Sequence, residues 1–382
     1  MDFDVVVDRT NSESVKWHYF PDNVLPLWVA DMDFKSPEAV MEALHQRVEH
    51  GVFGYAKPPE GLNEIIRERL KRLYRWKVEP AAIDYVPGVV SGVNMAVQAV
   101  CEPGDAVIFQ VPAYPPFFNL AQNGGFRMVE NQLIHNGDGR YLIDFDLFEQ
   151  QIIGNKVKAF VLCNPQNPTG RVFTREELTK LAEICLRHKV WIISDEIHCD
   201  LLFDGNQHIP IASLSPEVEA ITLTYMAPSK TYNIAGLHAS VSIIPNKLLR
   251  EGVGKSRRGM VSHPSLLSLF AARAAYEQGN EWLQELLLYL QKNRDWLVGM
   301  LPKALPGLKA YKPEATYLLW LDCRETGLEE PQKFFLEKAL VGLNDGLGFG
   351  EVGKGFVRFN FGCPRSILEE AVKRMSEACK KH

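Results

Sequence analysis

Short apolar runs alternate along the chain with segments whose apolar residues recur at helical spacing. The runs have the length of β-strands, and several are apolar throughout, as expected for strands that are covered on both faces. They are AVIFQV (106–111), KAFVLC (158–163), VWIIS (190–194), ITLTYM (221–226) and ASVSII (239–244), and a shorter run ends in DYVPGVV (84–90). Strands alternating with helices in this rhythm predict an α/β fold with a mostly parallel sheet.

The helical segments carry their own start signals. Thr174 followed by Glu177 predicts a capping box at the start of one helix. Ser36 and Pro37 predict the cap and first residue of a helix near the N-terminus. Residues 265–300 have the pattern of one long helix.

The last third of the chain changes character. Strand patterns at 316–323 and 356–362 are followed by a closing helix at 366–380. We therefore expect three parts: an N-terminal arm that joins a small domain, a large α/β domain, and a C-terminal small α+β domain. Their predicted ranges are 1–45, 46–278 and 279–382.

Composition narrows the class of protein. The 382 residues are 46% hydrophobic and 23% charged, which supports a sizeable core and excludes a disordered chain. A net charge of −5 gives no basic footprint for nucleic acid, and we expect no membrane span and no nucleic-acid partner. The seven cysteines are scattered and odd in number, so we expect free thiols, no zinc or other metal site, and a cytoplasmic setting.

Candidate chemistry follows the predicted strands, where ligands sit in open α/β sheets. NPQNPTG (164–170), DEIH (195–198), APSKT (227–231) and PAYP (112–115) each begin at a strand end. They offer an amide, a carboxylate, a lysine and an aromatic ring.

This combination suits pyridoxal phosphate. The cofactor needs a lysine amine for its aldehyde and an acidic partner for its pyridine nitrogen. It also needs a donor near its phenolic oxygen, a flat group against its ring, and backbone N–H groups around its phosphate. Lys230, Asp195, Asn167 and Tyr114 are candidates for the side-chain tasks, and the turn 88–92 before a helix is a candidate for the phosphate.

The order and spacing of NPQNPTG, SDEIH and APSKTYNIAGL resemble the fold-type-I pyridoxal-phosphate enzymes, the class I/II aminotransferase superfamily. LPLWVADMDFKSPEAV, GYAKPPEG and the PGVV turn further resemble the cystathionine β-lyase / cysteine C–S lyase group of the MalY/PatB type. The likeness runs from about Trp28 to the terminal helix.

The resemblance implies roles position by position. The implied catalytic residues are Lys230, as the Schiff-base lysine, and Tyr114, which would also stack on the cofactor ring. Arg358, Asn167 and Tyr55 would contact the substrate, with Arg358 gripping its α-carboxylate. The implied cofactor contacts are Lys230, Asp195, Asn167, Tyr114, His198, Val89, Val90, Ser229 and Tyr55. Tyr55 would reach the phosphate of the neighbouring subunit, which implies a homodimer with shared active sites.

Three positions depart from common patterns of the superfamily. His198 stands where many aminotransferases have a tyrosine, and a satisfied core histidine is nearly as good an interpretation as a cofactor contact. His238 replaces a frequent phosphate-binding arginine and is taken as structural. Pro115 stands where some lyases carry a second tyrosine, which leaves the proton path to the leaving thiol open.

The reaction implied by the resemblance is α,β-elimination. L-cystathionine or a related cysteine S-conjugate would give a thiol (homocysteine from cystathionine), pyruvate and ammonia. Two alternatives stay open at the level of sequence: an aminotransferase on the same fold, and a cofactor-binding regulatory protein that works through protein contacts.

Overall fold

A seven-stranded sheet lies at the centre of the larger part of the molecule. The structure is a computed structural model and describes residues 1–381. The strands, in chain order, are β1 (Ile83–Val86), β2 (Ala106–Val111), β3 (Arg127–Gln132), β4 (Val157–Cys163), β5 (Trp191–Asp195), β6 (Thr222–Met226) and β7 (Ser240–Ile243). The α/β prediction is thus confirmed.

The spatial order of this sheet is β1-β7-β6-β5-β4-β2-β3. Strands β2 to β6 run parallel, whereas β7 is antiparallel to both β1 and β6. Strand β3 was not predicted, because it is an edge strand in which only two of six residues are buried. It therefore lacks the apolar run that marks its neighbours.

Helices cover the sheet and build the smaller part of the molecule. Their bounds are Val15–His18, Glu38–Glu49, Leu62–Tyr74, Val89–Val100, Leu120–Gly124, Phe145–Asn155, Arg175–His188, Pro216–Ala220, Pro228–Thr231, Lys247–Ser256, Leu266–Gln278, Asn280–Ala304, Pro331–Phe334 and Arg365–Lys381. The predicted capping box is present, since Thr174 and Glu177 exchange side-chain and backbone hydrogen bonds.

Two helix predictions were wrong. The long helix expected at 265–300 breaks at Gly279, where an added Cβ would lie 2.5 Å from both the Ala275 carbonyl oxygen and the Tyr232 ring. The cap near the N-terminus is Pro37, and within residues 1–381 the Ser36 hydroxyl oxygen accepts no hydrogen bond from the helix; this hydroxyl instead donates to the Asn233 carbonyl at 3.0 Å.

A second sheet of four antiparallel strands belongs to the C-terminal part. Its strands are β8 (Lys309–Ala310), β9 (Leu318–Asp322), β10 (Asn344–Asp345) and β11 (Phe356–Asn360), in the order β8-β9-β11-β10. Two pairs of two-residue strands complete the set: Leu25–Pro26 with Val341–Gly342, and Ile134–His135 with Tyr141–Leu142.

The segment 28–34, which we call the strap, crosses between the two sheets and is held by side chains from both ends of the chain. Lys16, fully buried, pairs with Asp33 at 2.6 Å, and Arg9 pairs with the other oxygen of Asp33 at 2.8 Å. From the C-terminal sheet, Asn360 donates to the carbonyls of Val29 and Asp31 at 2.6 and 2.8 Å. A buried charge is costly unless it is paired, so this network holds the strap in one position.

The core of the smaller part draws on distant regions of the chain. One apolar cluster joins Leu27 and Met32 of the N-terminal arm to residues such as Leu286, Phe359 and Met375. This clustering agrees with an arm that joins the small domain, while the boundaries 1–45, 46–278 and 279–382 stay a prediction. Within residues 1–381, none of the helices has both the length and the apolarity that a membrane crossing requires.

Close approach of a helix to β6 gives a testable prediction. A Cβ at Gly92, in Val89–Val100, would lie 2.5 Å from the ring of Tyr225. Gly92→Ala is expected to lower the free energy of unfolding by about 1–3 kcal/mol through overpacking.

Gly254→Ala is the matched control. Gly254 also lies inside a helix, and no atom lies within 4 Å of the position that an added Cβ would take. It should be neutral or stabilising by up to about 1 kcal/mol. Thermal denaturation of both variants checks this, and equal shifts of Tm in one direction would contradict it.

Candidate active site

A cavity of about 340 Å³ opens where the parallel strands end. Its wall includes the last residues of β4 and β5 and the short helix that follows β6. Eight of the predicted site residues line it: Lys230, Asp195, Asn167, Tyr114, His198, Val89, Val90 and Ser229. The carboxyl ends of neighbouring parallel strands meet at one edge of the sheet, which explains why motifs far apart in sequence converge.

Lys230 follows β6 and extends toward the strap. Its amine donates to the Ala30 carbonyl oxygen at 2.5 Å, and Tyr317 donates to the same oxygen at 3.1 Å. Removal from water lowers the pKa of Lys230 to about 8; the positive charge of Arg358 acts in the same direction, whereas the carboxylates of Asp31 and Asp195 oppose it. A substantial fraction of this amine is therefore neutral, and so nucleophilic, at mildly alkaline pH.

Asp195 is the last residue of β5 and is 4% exposed. Burial raises the pKa of its carboxyl to about 7, while the backbone N–H of Ile197, donating to Oδ1 at 3.1 Å, and the charge of Lys230 act against that rise. A carboxyl group enclosed in this way is stabilised as an anion by any cation placed beside it. It is thus suited to hold a protonated nitrogen in the cavity.

Asn167 lies in a loop that is fixed by its own hydrogen bonds. Gln166 donates to the Pro112 carbonyl at 2.6 Å and accepts from the Thr169 backbone and hydroxyl. Asn167 itself is 4% exposed, and its Oδ1 accepts from Arg358 at 3.0 Å. Its amide group is therefore placed between the cavity and Arg358.

Arg358 reaches the site from β11 of the second sheet. One terminal nitrogen donates to Asn167; the other donates to the Trp28 carbonyl at 3.1 Å and to Asn344 Oδ1 at 2.7 Å. All these partners are neutral, and burial lowers the pKa of Arg358 to about 10. The guanidinium remains charged at neutral pH, and within residues 1–381 it pairs with no carboxylate and its Nε is buried without a partner. This arrangement is suited to capture a carboxylate from outside.

His198 and Tyr114 complete the wall of the cavity. Burial lowers the pKa of His198 to about 3, and the charges of Lys230 and Arg358 act in the same direction, so the imidazole is neutral. No group in the described part of the chain makes a hydrogen bond to its Nδ1, which is buried. Tyr114 is partly exposed, and burial raises the pKa of its hydroxyl. His198 is therefore not a core histidine whose ring nitrogens are all hydrogen-bonded within the described residues.

A helix N-terminus faces the same cavity. Val89–Val100 begins directly after Gly88, whose φ of 126° is one that glycine adopts readily. The first amides of a helix have no partner within the helix and attract anions. With the hydroxyl-bearing Ser91 and Ser229 also lining the cavity, this end is suited to a phosphate group.

Tyr55 is not brought to this site within the single chain. Its side chain is completely exposed, and the flanking Val52 and Phe53 are 62% and 58% exposed. Three groups at the site were not predicted from sequence: the Ala30 carbonyl beside Lys230, Asn344 beside Arg358, and Tyr317. His238, expected to be structural, also lines the cavity.

The donor set fits pyridoxal phosphate. The cavity presents an amine of lowered pKa, an enclosed carboxyl, unpaired helix amides and an aromatic ring, and these match the aldehyde, pyridine nitrogen, phosphate and ring of the cofactor. The unpaired buried nitrogens of His198 and Arg358 indicate that the site is built to receive polar groups.

Comparison with known proteins gives full-length matches. The chain is 42% identical over 386 residues to cystathionine beta-lyase PatB of Bacillus subtilis, covering 99% of this chain and 100% of that protein. It is 29% identical to an aspartate aminotransferase of Geobacillus stearothermophilus, covering 92% and 90%. The crystal structure of cystalysin from Treponema denticola, which contains a pyridoxal 5'-phosphate cofactor, superposes with a TM-score of 0.96 at 34% identity, covering 100% and 99%.

The sequence pattern, the sheet and the residues at its carboxyl edge agree with these matches, and fold type I is confirmed. The family described as aminotransferase class I and II matches residues 22–375. The chain therefore belongs to the class I and II aminotransferase family.

Proposed function

We propose that this protein is a pyridoxal-phosphate-dependent carbon–sulfur β-lyase. Its substrates are L-cystathionine or related cysteine S-conjugates, and its products are a thiol, pyruvate and ammonia, with one water consumed. The full-length relative from Bacillus subtilis bears the name of this activity.

One observation carries the chemical part of the proposal. The Lys230 amine, with a pKa of about 8, shares its cavity with Asp195, and Arg358 without a carboxylate partner lies beside it. An amine, a pyridine-nitrogen partner and a carboxylate receptor are the three groups that cofactor-dependent chemistry on an α-amino acid requires.

The chemistry of each residue assigns it to one part of the cofactor. Lys230 would hold the aldehyde carbon, Asp195 the pyridine nitrogen and Asn167 the phenolic oxygen. Tyr114 and His198, the latter as a neutral imidazole, would contact the ring. The amides of Val89 and Val90 and the Ser229 hydroxyl would hold the phosphate. When bound, the cofactor accepts electrons from the substrate Cα and so acidifies the Cα–H bond.

Among the described residues, Lys230 is the only lysine that lines the cavity, and it serves as the base that takes the Cα proton. A base with a pKa near the working pH is efficient because it is neutral when needed and still holds the proton. The Ala30 carbonyl, 2.5 Å away, orients the amine. The C–S bond at Cβ then breaks, and its electron pair leaves with sulfur, which takes up a proton to become a thiol.

Arg358 fixes the substrate through its α-carboxylate. Its planar guanidinium carries five N–H groups, a geometry that suits two carboxylate oxygens. One terminal nitrogen donates both of its N–H groups, to Asn344 and to the Trp28 carbonyl at 2.7 and 3.1 Å, and the other donates one to Asn167. The Nε–H and one terminal N–H are therefore left for the substrate carboxylate. The remaining substrate contacts come from Asn167 and from Tyr55 of a neighbouring subunit.

The proposal includes a homodimer with shared active sites. Its support is the complete exposure of Tyr55 and the exposed apolar residues beside it, Val52 and Phe53. Neighbouring exposed apolar side chains are typical of contact surfaces. The seven free cysteines further support a reducing, cytoplasmic compartment.

Incubation of the purified holoenzyme with L-cystathionine tests the activity. We expect equimolar pyruvate and free thiol with no keto acid added, because elimination requires no second organic substrate. The matched control replaces cystathionine by L-alanine, which has no leaving group at Cβ and should give neither thiol nor rapid pyruvate formation.

Two outcomes would contradict the lyase proposal. Product formation that depends on an added keto acid, without thiol, would indicate an aminotransferase. Absence of turnover in a preparation that retains bound cofactor would indicate a regulatory protein.

The shared site makes a separate prediction. The protein should sediment at about twice 43.2 kDa, and Tyr55→Phe should weaken cofactor retention about tenfold, since a hydrogen bond to a charged group contributes roughly 1.5–3 kcal/mol. Tyr19→Phe is the matched control, because Tyr19 is 64% exposed and its hydroxyl makes no hydrogen bond within residues 1–381. A monomeric mass, or equal retention in both variants, would rule out the shared site.

A further inference from the structure

A second cleft, separate from the active-site cavity, has a volume of about 690 Å³. We call it the arginine cleft, because Arg69, Arg72, Arg75 and Arg175 all line it. Its remaining wall comes from Leu73 and Tyr74, from residues 199–213 and from the first two turns of Asn280–Ala304. Among the described residues, none lines both this cleft and the active-site cavity.

The charge of the cleft is opposite to that of the chain as a whole. The protein carries a net charge of −5, yet the described residues that line the cleft include four arginines and a single carboxylate, Asp200. That carboxylate is already engaged, because Arg69 pairs with Asp200 and the Thr231 hydroxyl donates to its other oxygen at 3.0 Å. The cleft therefore keeps a positive charge that no acid in its wall neutralises.

Three of the arginines have no polar partner among the residues that the structure describes. Arg72, Arg75 and Arg175 form no ion pair and no side-chain hydrogen bond with residues 1–381. Guanidinium groups present planar pairs of N–H donors that match phosphate oxygens two at a time. Several such groups around one cleft are suited to a ligand with more than one negative group.

The helix dipole explains the positions of two of these arginines but not that of the third. Arg72 and Arg75 lie at the C-terminal end of Leu62–Tyr74, where cations are stabilised without any ligand. Arg175, however, is the first residue of Arg175–His188, and a cation at a helix N-terminus is unfavourable. A bound anion would offset that unfavourable placement.

His208 gives an independent observation. It lines the cleft and is 4% exposed, and its Nε2 pairs with Glu196 at 2.7 Å. The other ring nitrogen, Nδ1, is buried and has no hydrogen-bond partner within residues 1–381. Since buried polar atoms are nearly always partnered, this nitrogen is an unfilled hydrogen-bonding position in a residue that lines the cleft.

From these observations we propose that the arginine cleft is a binding site for a small anion with two or more phosphate groups. Free oligophosphate and the phosphate tail of a nucleotide share this chemistry. The site is distinct from the phosphate position in the active-site cavity, and its existence does not depend on the reaction proposed above.

Calorimetric titration of the holoenzyme with sodium tripolyphosphate, and in parallel with ATP, tests the proposal. Bound cofactor keeps the active-site phosphate position filled. We expect saturable binding of one anion per chain that weakens between about 50 and 200 mM salt, because salt screens exposed charges. Equal affinities would identify oligophosphate as the ligand, and tighter binding of ATP would identify a nucleotide.

The double variant Arg72→Gln/Arg75→Gln should weaken binding at least tenfold while leaving lyase turnover unchanged. Its matched control is Arg140→Gln/Lys354→Gln, which removes two exposed charges that do not line the cleft and lie more than 30 residues in sequence from any residue that does. Absence of saturable binding of either anion, or equal weakening in the two variants, would overturn the proposal.

Discussion

Removal of the Lys230 amine from water is the constraint on which the site depends. An amine in water would be almost fully protonated at neutral pH, whereas enclosure here lowers its pKa to about 8. The protein holds this amine without neutralising it, since its hydrogen-bond partner is the carbonyl of Ala30 and not a carboxylate. A carboxylate in that position would raise the pKa and remove the nucleophile.

The rest of the structure supports that placement from three directions. The parallel strands bring Asp195 and Asn167 to the edge where Lys230 emerges. The strap supplies Ala30, and the buried pair of Lys16 with Asp33 holds the strap at 2.6 Å. The second sheet supplies Arg358, whose charge also depresses the pKa of Lys230. Sheet, strap and second sheet therefore act on one amine.

Side-chain chemistry at strand ends could be predicted from the sequence, because apolar runs mark the strands and motifs follow them directly. The Ala30 carbonyl could not, since any residue supplies a backbone oxygen and no residue type reveals it. Asn344 required the register that pairs it with Arg358 across β10 and β11. The break at Gly279 was hidden because apolar spacing continues on both sides, and only the proximity of Tyr232 shows why glycine is needed there.

Cofactor uptake by the apoenzyme as a function of pH tests the central claim about Lys230 most directly. The initial rate at which the visible absorbance of bound pyridoxal phosphate appears should rise with pH around a midpoint near 8, because only the neutral amine attacks the aldehyde. An Nα-blocked lysine, with a pKa of about 10.4, is the matched small-molecule control and should respond more than two pH units higher. Lys230→Ala should form no such band and lose activity by a factor of about 10²–10⁴ or more. A midpoint near that of free lysine, or a band that persists in Lys230→Ala, would contradict the account.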